Sequence, residues 1–187
     1  LQLIFLGRID PVKNIELLVN SLRRVPFPYH LTIVGDGDPG YIAGLQQLIE
    51  QHDHITMAGP VYDERKFALL ANADLLVLLS HTENFGNVIL EALSQGTAVL
   101  VSKNVGAADI VSSQHLGWVI TPEVEVCAEI LCEINANRQQ LAAIRKSGPE
   151  VLATILSPSA LASRYIHEAY GMVNPVFKLR LQIPEIA

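Results

Sequence analysis

The chain has 187 residues, of which 50% are hydrophobic and 17% are charged, and its formal net charge is −6. This length suits one domain with a sizeable core, and the composition excludes a disordered tail, which would combine low hydrophobicity with high charge. An acidic domain repels phosphate backbones at long range, so nucleic acid is not an expected partner, although two or three local cations would suffice for one diphosphate.

The predicted elements alternate between short aliphatic strands and amphipathic helices. Strands are predicted over 1–6, 30–34, 54–57, 74–79, 98–102 and 117–120, and helices over 14–24, 41–51, 63–72, 86–95 and 107–112. About six apolar strands with intervening helices predict an α/β fold, a doubly wound Rossmann-like parallel sheet with helices on both faces. Such sheets bind ligands beyond the carboxyl ends of their strands, so the loops after the strands are the places to look for a site.

From residue 122 onward the pattern is helical, with helices predicted over 123–136, 138–155 and 158–170. Ser157 and Pro158 are typical of an N-cap and a first helical residue. The tail over 173–187 alternates apolar and polar residues, and both an edge strand and a disordered end remain open for it.

The two cysteines and the start of the chain indicate the cellular compartment of the protein and its extent. Cys127 and Cys132 lie five residues apart in a predicted helix and therefore point to different faces, which favours two buried thiols in a reducing compartment over a disulfide or zinc site. We see neither a signal peptide nor an apolar run long enough to span a bilayer, so we expect a cytoplasmic protein. The chain starts with Leu1 inside a predicted strand, and we expect it to be part of a longer protein.

The loop after the fourth predicted strand carries two acids eight residues apart. Glu83 stands in the loop itself, and Glu91 stands in the next helix among apolar neighbours, where a carboxylate is costly unless it receives hydrogen bonds. Sugar hydroxyls are suitable donors, while the helix N-terminus near Gly86 offers N–H groups and a positive dipole end to an anion. The alternatives are a helix-capping acid for Glu83 and an exposed helix position for Glu91.

Two further loops carry charges or glycines. Gly7 ends the first strand, and Arg8 and Lys13 flank the turn that follows; these cations suit a diphosphate, or they are two ordinary surface cations.

After the second strand, Gly35, Gly37 and Gly40 spell the G-x-G-x-x-G dinucleotide fingerprint, while Asp36 and Asp38 spell a D-x-D metal motif. Both signals are weak: the fingerprint should follow the first strand, and the third strand lacks the acid that should end it. A glycine-rich turn explains the segment equally well.

The glutamate pair and the Arg–Lys turn resemble family 4 of the retaining glycosyltransferases, which have the two-domain GT-B architecture. The resemblance runs from Leu3 to about Tyr170, and it implies that Glu83 lies against the transferred sugar, Glu91 binds the ribose, and Arg8 and Lys13 bind the donor phosphates. It further implies that the loops around these residues line the nucleotide-sugar site, with the remaining contacts from Gly7, Gly35, Asp36, Gly37, Val61, Asn84, Phe85, Gly86 and Asn87.

This sequence departs from the family's pattern at several positions. Asn84 stands where the family usually has Gly, which leaves the identity of the sugar open. Leu79 replaces the usual Pro, Asn14 replaces a frequent Gly, and Ala107 replaces the second Gly of the turn after the fifth strand.

The resemblance implies transfer of a glycosyl group from a UDP- or GDP-linked sugar to an acceptor with retention of configuration, of hexosyltransferase type, with no metal and no cofactor. Residues 1–172 would be the C-terminal donor-binding domain, inactive without an N-terminal acceptor domain, and any peripheral membrane association would come through that missing half. The open alternatives are an NAD(P)-binding dehydrogenase domain, a non-catalytic Rossmann-like module that binds a partner protein, and the related GT-B epimerase architecture.

Overall fold

The computed structural model describes residues 1–50 and 52–165, and side chains up to 163. Within these residues there are six strands, which are β1 (Gln2–Leu6), β2 (His30–Val34), β3 (Ile55–Gly59), β4 (Leu75–Leu78), β5 (Ala98–Ser102) and β6 (Gly117–Ile120). The helices of the same residues are α1 (Ile15–Leu22), α2 (Pro39–Ile49), α3 (Arg65–Asn72), α4 (Asn87–Ser94), α5 (Ala108–Ser113), α6 (Val124–Ala136), α7 (Arg138–Ile155) and α8 (Pro158–Tyr165).

The six strands form one parallel sheet in the order β3-β2-β1-β4-β5-β6. Every residue of β4 and β5 is buried, because helices cover both faces of the sheet and leave neither side of a central strand to water. The predicted doubly wound α/β fold is therefore confirmed.

The helices divide between the two faces as right-handed crossovers require. Helix α1 packs against α2 and α6, and α3 packs against α4. The chain leaves β1 toward β2 on one side and reaches β4 on the other side of β1. The gap between the carboxyl ends of β1 and β4 is thus the topological switch point, where folds of this kind bind ligands.

The C-terminal helices match their predicted positions as far as the structure describes them. Ser157 caps α8, since its hydroxyl accepts a hydrogen bond of 3.2 Å from the amide of Ala160. The chain divides into two compact units between Pro149 and Glu150, inside α7. The predicted continuation of the last helix to 170 and the tail over 173–187 lie outside the described residues.

The two cysteines both lie on α6 and are not disulfide-bonded. Cys127 is fully buried, and burial raises the pKa of its thiol to about 11 against a weaker opposing hydrogen bond with Ser21. Cys132 is only partly buried, so the prediction of two buried thiols is wrong for this residue. In the part of the chain that the structure describes, no helix combines the length and apolar character needed to cross a bilayer.

Candidate functional site

The loops that follow β1 and β2 lie in direct contact, and glycines permit it. The amide of Ile9 donates to the carbonyl of Asp36 at 2.8 Å. A Cβ on Gly35 would lie 1.8 Å from the carbonyl oxygen of Gly7, and one on Gly37 would lie 1.8 Å from that of Ile9. These two glycines of the predicted G-x-G-x-x-G pattern therefore let two loops pack together, which is the structural role left open for them above.

The turn after β1 is a short 3-10 helix that directs Lys13 toward β4. Its first residues are held by Asp10, whose carboxylate accepts a hydrogen bond of 2.9 Å from the amide of Val12. Asn14 ends the turn in the left-handed conformation, with φ of +56°. Asparagine tolerates this conformation better than most residues, which explains its presence where glycine is frequent. Its side chain also donates to the carbonyl of Leu79 at 3.3 Å, just beyond β4.

An ion pair joins the loops after β1 and β4 at the switch point. The ammonium of Lys13 contacts the carboxylate of Glu83, and the two side chains are only 16% and 20% exposed. A backbone hydrogen bond of 2.8 Å from His81 to Val12 lies beside it. Two residues that stand 70 positions apart in the sequence thus form one charged unit, partly shielded from water.

The loop after β5 holds Glu83 from the other side. The amide of Glu83 donates to the carbonyl of Asn104 at 3.2 Å, and the amide of Gly106 donates to the carbonyl of Glu83 at 3.0 Å. A Cβ on Gly106 would lie 1.9 Å from the carbonyl oxygen of Asn84. Three adjacent strands therefore supply the loops that fix the position of the Glu83 carboxylate.

Helix α4 begins immediately after this acid. Gly86 precedes its first residue, Asn87, with φ of +83°, a backbone conformation that favours glycine. Among the described residues no side chain caps this end, so the first-turn N–H groups point toward the region of Glu83 with the positive end of the helix dipole. Phe85 beside it remains 37% exposed.

Glu91 lies on the second turn of α4 and is neither buried nor fully exposed. Its carboxylate accepts a hydrogen bond of 2.6 Å from the ammonium of Lys66 on α3, and both side chains are 28% exposed. Lys66 was not among the predicted site residues. The available signal was a pair of cations, Arg65 and Lys66, in the first turn of a helix, where the helix dipole disfavours positive charge.

Arg8 stands at the mouth of a cleft of about 250 Å³ at the carboxyl ends of β1 and β2. Its guanidinium lies 3.4 Å from the carboxylate of Asp10 and is 70% exposed, so this surface ion pair contributes little and leaves the side chain able to reorient. The cleft is lined by Leu6, Gly7, Arg8, Val34, Gly35, Asp36, Pro60, Val61 and Tyr62. Several of these were predicted site residues, and Tyr62 was not.

The carboxylates of the apparent D-x-D pattern are occupied by local backbone contacts. Asp36 accepts from the amide of Gly37 at 2.8 Å, and Asp38 accepts from the amide of Tyr41 at 2.9 Å as the N-cap of α2. Within the described residues no cluster of three or more His, Cys, Asp or Glu side chains is arranged to hold a metal ion.

The dehydrogenase alternative is disfavoured by the same loop. The glycine pattern follows β2 rather than β1, and the carboxylate of Asp38 covers the N-terminus of α2, where a dinucleotide's pyrophosphate would have to bind. A carboxylate at that position repels a diphosphate.

Comparisons with known proteins agree with this geometry. Residues 1–151 match the family model described as "Glycosyl transferases group 1". The chain is 31% identical over 136 residues to a D-inositol 3-phosphate glycosyltransferase of Mycobacteroides abscessus, and this match covers 70% of the chain and 31% of that protein. The chain thus spans about a third of the length of this curated relative.

Solved structures share the fold. The structure of Anabaena HepE in complex with UDP superposes with a TM-score of 0.76 at 24% identity, covering 91% of this chain and 48% of that chain. The C-terminal domain of a group 1 glycosyl transferase, LpcC of Francisella tularensis, superposes with a TM-score of 0.68 at 20% identity, covering 82% of this chain and 84% of that chain.

Proposed function

Because this chain belongs to the group 1 glycosyltransferases, we propose that it binds the nucleoside-diphosphate sugar for a transferase of family 4 that retains the anomeric configuration. The observation that carries the proposal is the contact between Lys13 and Glu83 at the switch point between β1 and β4. A cation suited to a phosphate and an acid suited to a sugar meet where this sheet topology binds ligands.

The nucleotide would occupy the cleft beside Arg8. Its volume of about 250 Å³ is of the order of a small ligand's site, and its lining combines apolar residues with the glycines Gly7 and Gly35. Main-chain groups can bind a base, and Val61, one of the predicted site residues, lines this cleft.

The diphosphate would lie between Arg8, Lys13 and the start of α4. Arg8 is exposed, lines the cleft and offers a bidentate fork, while Lys13 supplies a point charge at the switch point. The uncapped N–H groups after Gly86 would add a third source of positive potential. These groups would stabilise the charge that develops on the leaving diphosphate when the glycosidic bond to it breaks.

The two glutamates would hold the sugar parts of the donor. Glu83 is fixed by the loops after β1 and β5, so its carboxylate can orient the transferred sugar and support positive charge at the anomeric carbon. Glu91 keeps one carboxylate oxygen beyond its contact with Lys66, and vicinal ribose hydroxyls could donate to it. Neither role requires a metal ion.

The acceptor would be bound by a second domain that lies outside this sequence. A C-terminal donor domain would then need this partner to close the cleft and exclude water, so we expect the chain alone to bind the donor without transferring sugar. A cytoplasmic location, with any membrane association through the other domain, belongs to the same proposal.

Titration calorimetry with UDP and with GDP tests the proposal on the folded chain. Heat with either nucleotide is expected, and substituting Lys13→Ala should weaken its binding about 10- to 100-fold, since a hydrogen bond to a charged group contributes about 1.5–3 kcal/mol. Glu91→Ala should weaken it about tenfold.

Matched controls exist on the helices away from the cleft. Lys146→Ala and Glu133→Ala remove the same charges from exposed positions on α7 and α6, and both should bind as the wild type does. Absence of heat with both nucleotides, for a chain whose circular dichroism shows it to be folded, would refute the proposal. Heat with NADH instead would restore the dehydrogenase alternative.

A further inference from the structure

We propose that Lys66 is a positioning residue of the donor site, which holds the carboxylate of Glu91 against the ribose and makes binding depend on the ribose 2′-hydroxyl. This inference rests on the proposed function, since it needs a nucleotide in the site. It assigns a role to a residue that neither the glycine-rich loops nor the predicted charged motif contains.

The contact itself is the first support. The ammonium of Lys66 lies 2.6 Å from Oε1 of Glu91, across the packed pair of helices α3 and α4. The same ammonium lies 4.9 Å from the centroid of the Phe67 ring, so two neighbours restrict its position. A long side chain restrained at two points can in turn restrict the rotamer of the acid that it contacts.

The carboxylate of Glu91 can accept more hydrogen bonds than the one that Lys66 donates, which leaves acceptor sites for a ligand. An ionised carboxylate has about four lone-pair sites and Lys66 engages one oxygen, so the other oxygen of Glu91 can accept from two adjacent hydroxyls. The remaining N–H donors of Lys66 could also reach a ribose oxygen. The pair thus offers both donors and acceptors, which is what a hydroxyl requires.

The second support is the location of Lys66 along the groove. It lines a hollow of about 590 Å³ together with Leu6, Val61 and Tyr62. The same three residues also line the cleft beside Arg8, so the two depressions adjoin each other. A nucleotide that extends from the cleft into the hollow would therefore pass close to both Arg8 and Lys66.

The third support is that local structure does not explain the residue. Lys66 is in the first turn of α3, where the helix dipole disfavours a cation, and this turn contains no acid. Its position is therefore better explained by its contact across to α4 than by the preference of its own helix.

The test compares UDP with 2′-deoxy-UDP by calorimetry on the full chain, with GDP and 2′-deoxy-GDP used instead if GDP is the nucleotide that binds. The wild type should bind the ribonucleotide about 10- to 100-fold more tightly, because the deoxy ligand lacks a hydrogen bond to a charged group. Lys66→Met should reduce this ratio to less than about threefold, mainly through weaker binding of the ribonucleotide. Lys66→Arg should restore a large part of it.

A purely structural role for Lys66 predicts a different result, because damage to the packing of α3 on α4 would weaken both ligands equally and leave their ratio unchanged. Arg65→Met is the matched control, since this neighbouring cation is exposed and the ratio should stay at the wild-type value. An unchanged ratio in Lys66→Met would overturn the inference while leaving the proposed function standing. A wild type that binds UDP and 2′-deoxy-UDP equally would overturn the inference together with the ribose role proposed for Glu91, while leaving the binding of a nucleotide sugar standing. No binding of any nucleotide by the wild type would overturn both.

Discussion

Replacing Gly106 by alanine should displace the Glu83 loop, because the added methyl group has no space. Its Cβ would lie 1.9 Å from the carbonyl oxygen of Asn84 and 2.9 Å from the carbonyl carbon, and both atoms belong to backbone. Contacts of a Cβ below 3.0 Å are essentially never seen, so the two loops would have to separate by at least about 1.1 Å.

This displacement has two measurable consequences. It would lengthen the 3.0 Å hydrogen bond from Gly106 to the carbonyl of Glu83, and overpacking of this kind typically costs about 1–3 kcal/mol. For a chain of this size that corresponds to a fall in Tm of about 2–12 °C. A shift of about 1 Å in a ligand-orienting residue can reduce function about 100-fold, so affinity for the nucleotide sugar should fall by up to about this factor at temperatures where the variant is still folded.

Gly44→Ala is the control for both measurements. A Cβ on Gly44 would meet nothing within 4 Å, and the residue lies inside α2, where alanine is favoured over glycine by about 0.5–1 kcal/mol. Differential scanning fluorimetry and titration with a UDP- or GDP-linked sugar should therefore find Gly44→Ala as stable as the wild type or more so, with unchanged affinity. If Gly106→Ala behaves in the same way, the close approach of the two loops is not what positions Glu83.

Three further perturbations test other parts of the molecule. In urea unfolding, Lys13→Met and Glu83→Gln should each lower the free energy of unfolding, because each single change leaves the other charge partly buried and unpaired. The double variant should lose about 1 kcal/mol less free energy of unfolding than the sum of the two single losses. Full additivity would mean that the pair contributes nothing. Iodoacetamide should alkylate Cys132 and spare Cys127 at pH 8 in the folded chain, because Cys127 is buried and its raised pKa keeps it a protonated thiol. Mass spectrometry of the two cysteine-containing peptides measures this, and faster alkylation of Cys127 than of Cys132 would contradict the reasoning. Tyr41 donates a hydrogen bond of 2.6 Å to a carboxylate on α1, and burial together with this contact raises the pKa of Tyr41 above its usual range. The stabilising contribution of Tyr41 is therefore present below pH 10 and is lost as the pH rises through the raised pKa. The urea midpoint should fall more steeply between pH 9 and 12 in the wild type than in Tyr41→Phe.

The periodicity of apolar residues predicted the fold in most respects. All six strands and eight helices of the described residues occur where the sequence indicated, and their bounds differ by up to two residues, apart from the predicted end of the last helix at 170, which lies outside the described residues. The start of α2 is such a case, since the helix begins at Pro39 rather than 41 because Asp38 caps it. A helix cap depends on a single side-chain hydrogen bond, and the periodicity of apolar residues carries no information about that bond.

The charged residues show where sequence reasoning ended. Arg8, Lys13, Glu83 and Glu91 were selected by residue type and spacing, and that reasoning left open which of them would meet. Lys66 was not predicted because two adjacent cations at a helix start are a weak signal beside a charged motif of fixed spacing. It stands 25 positions from the acid that it contacts.

By itself the sequence determined the alternation of buried strands and amphipathic helices, and hence a doubly wound sheet with its loops at one edge, because continuous apolar runs and a 3.6-residue apolar period are local properties of the chain. Only the tertiary structure decided that Lys13 pairs with Glu83, that Lys66 pairs with Glu91, and that Gly106 must lack a side chain. These contacts depend on β1 lying beside β4 and β4 beside β5, and strand order arises from the packing of the whole sheet rather than from any one segment.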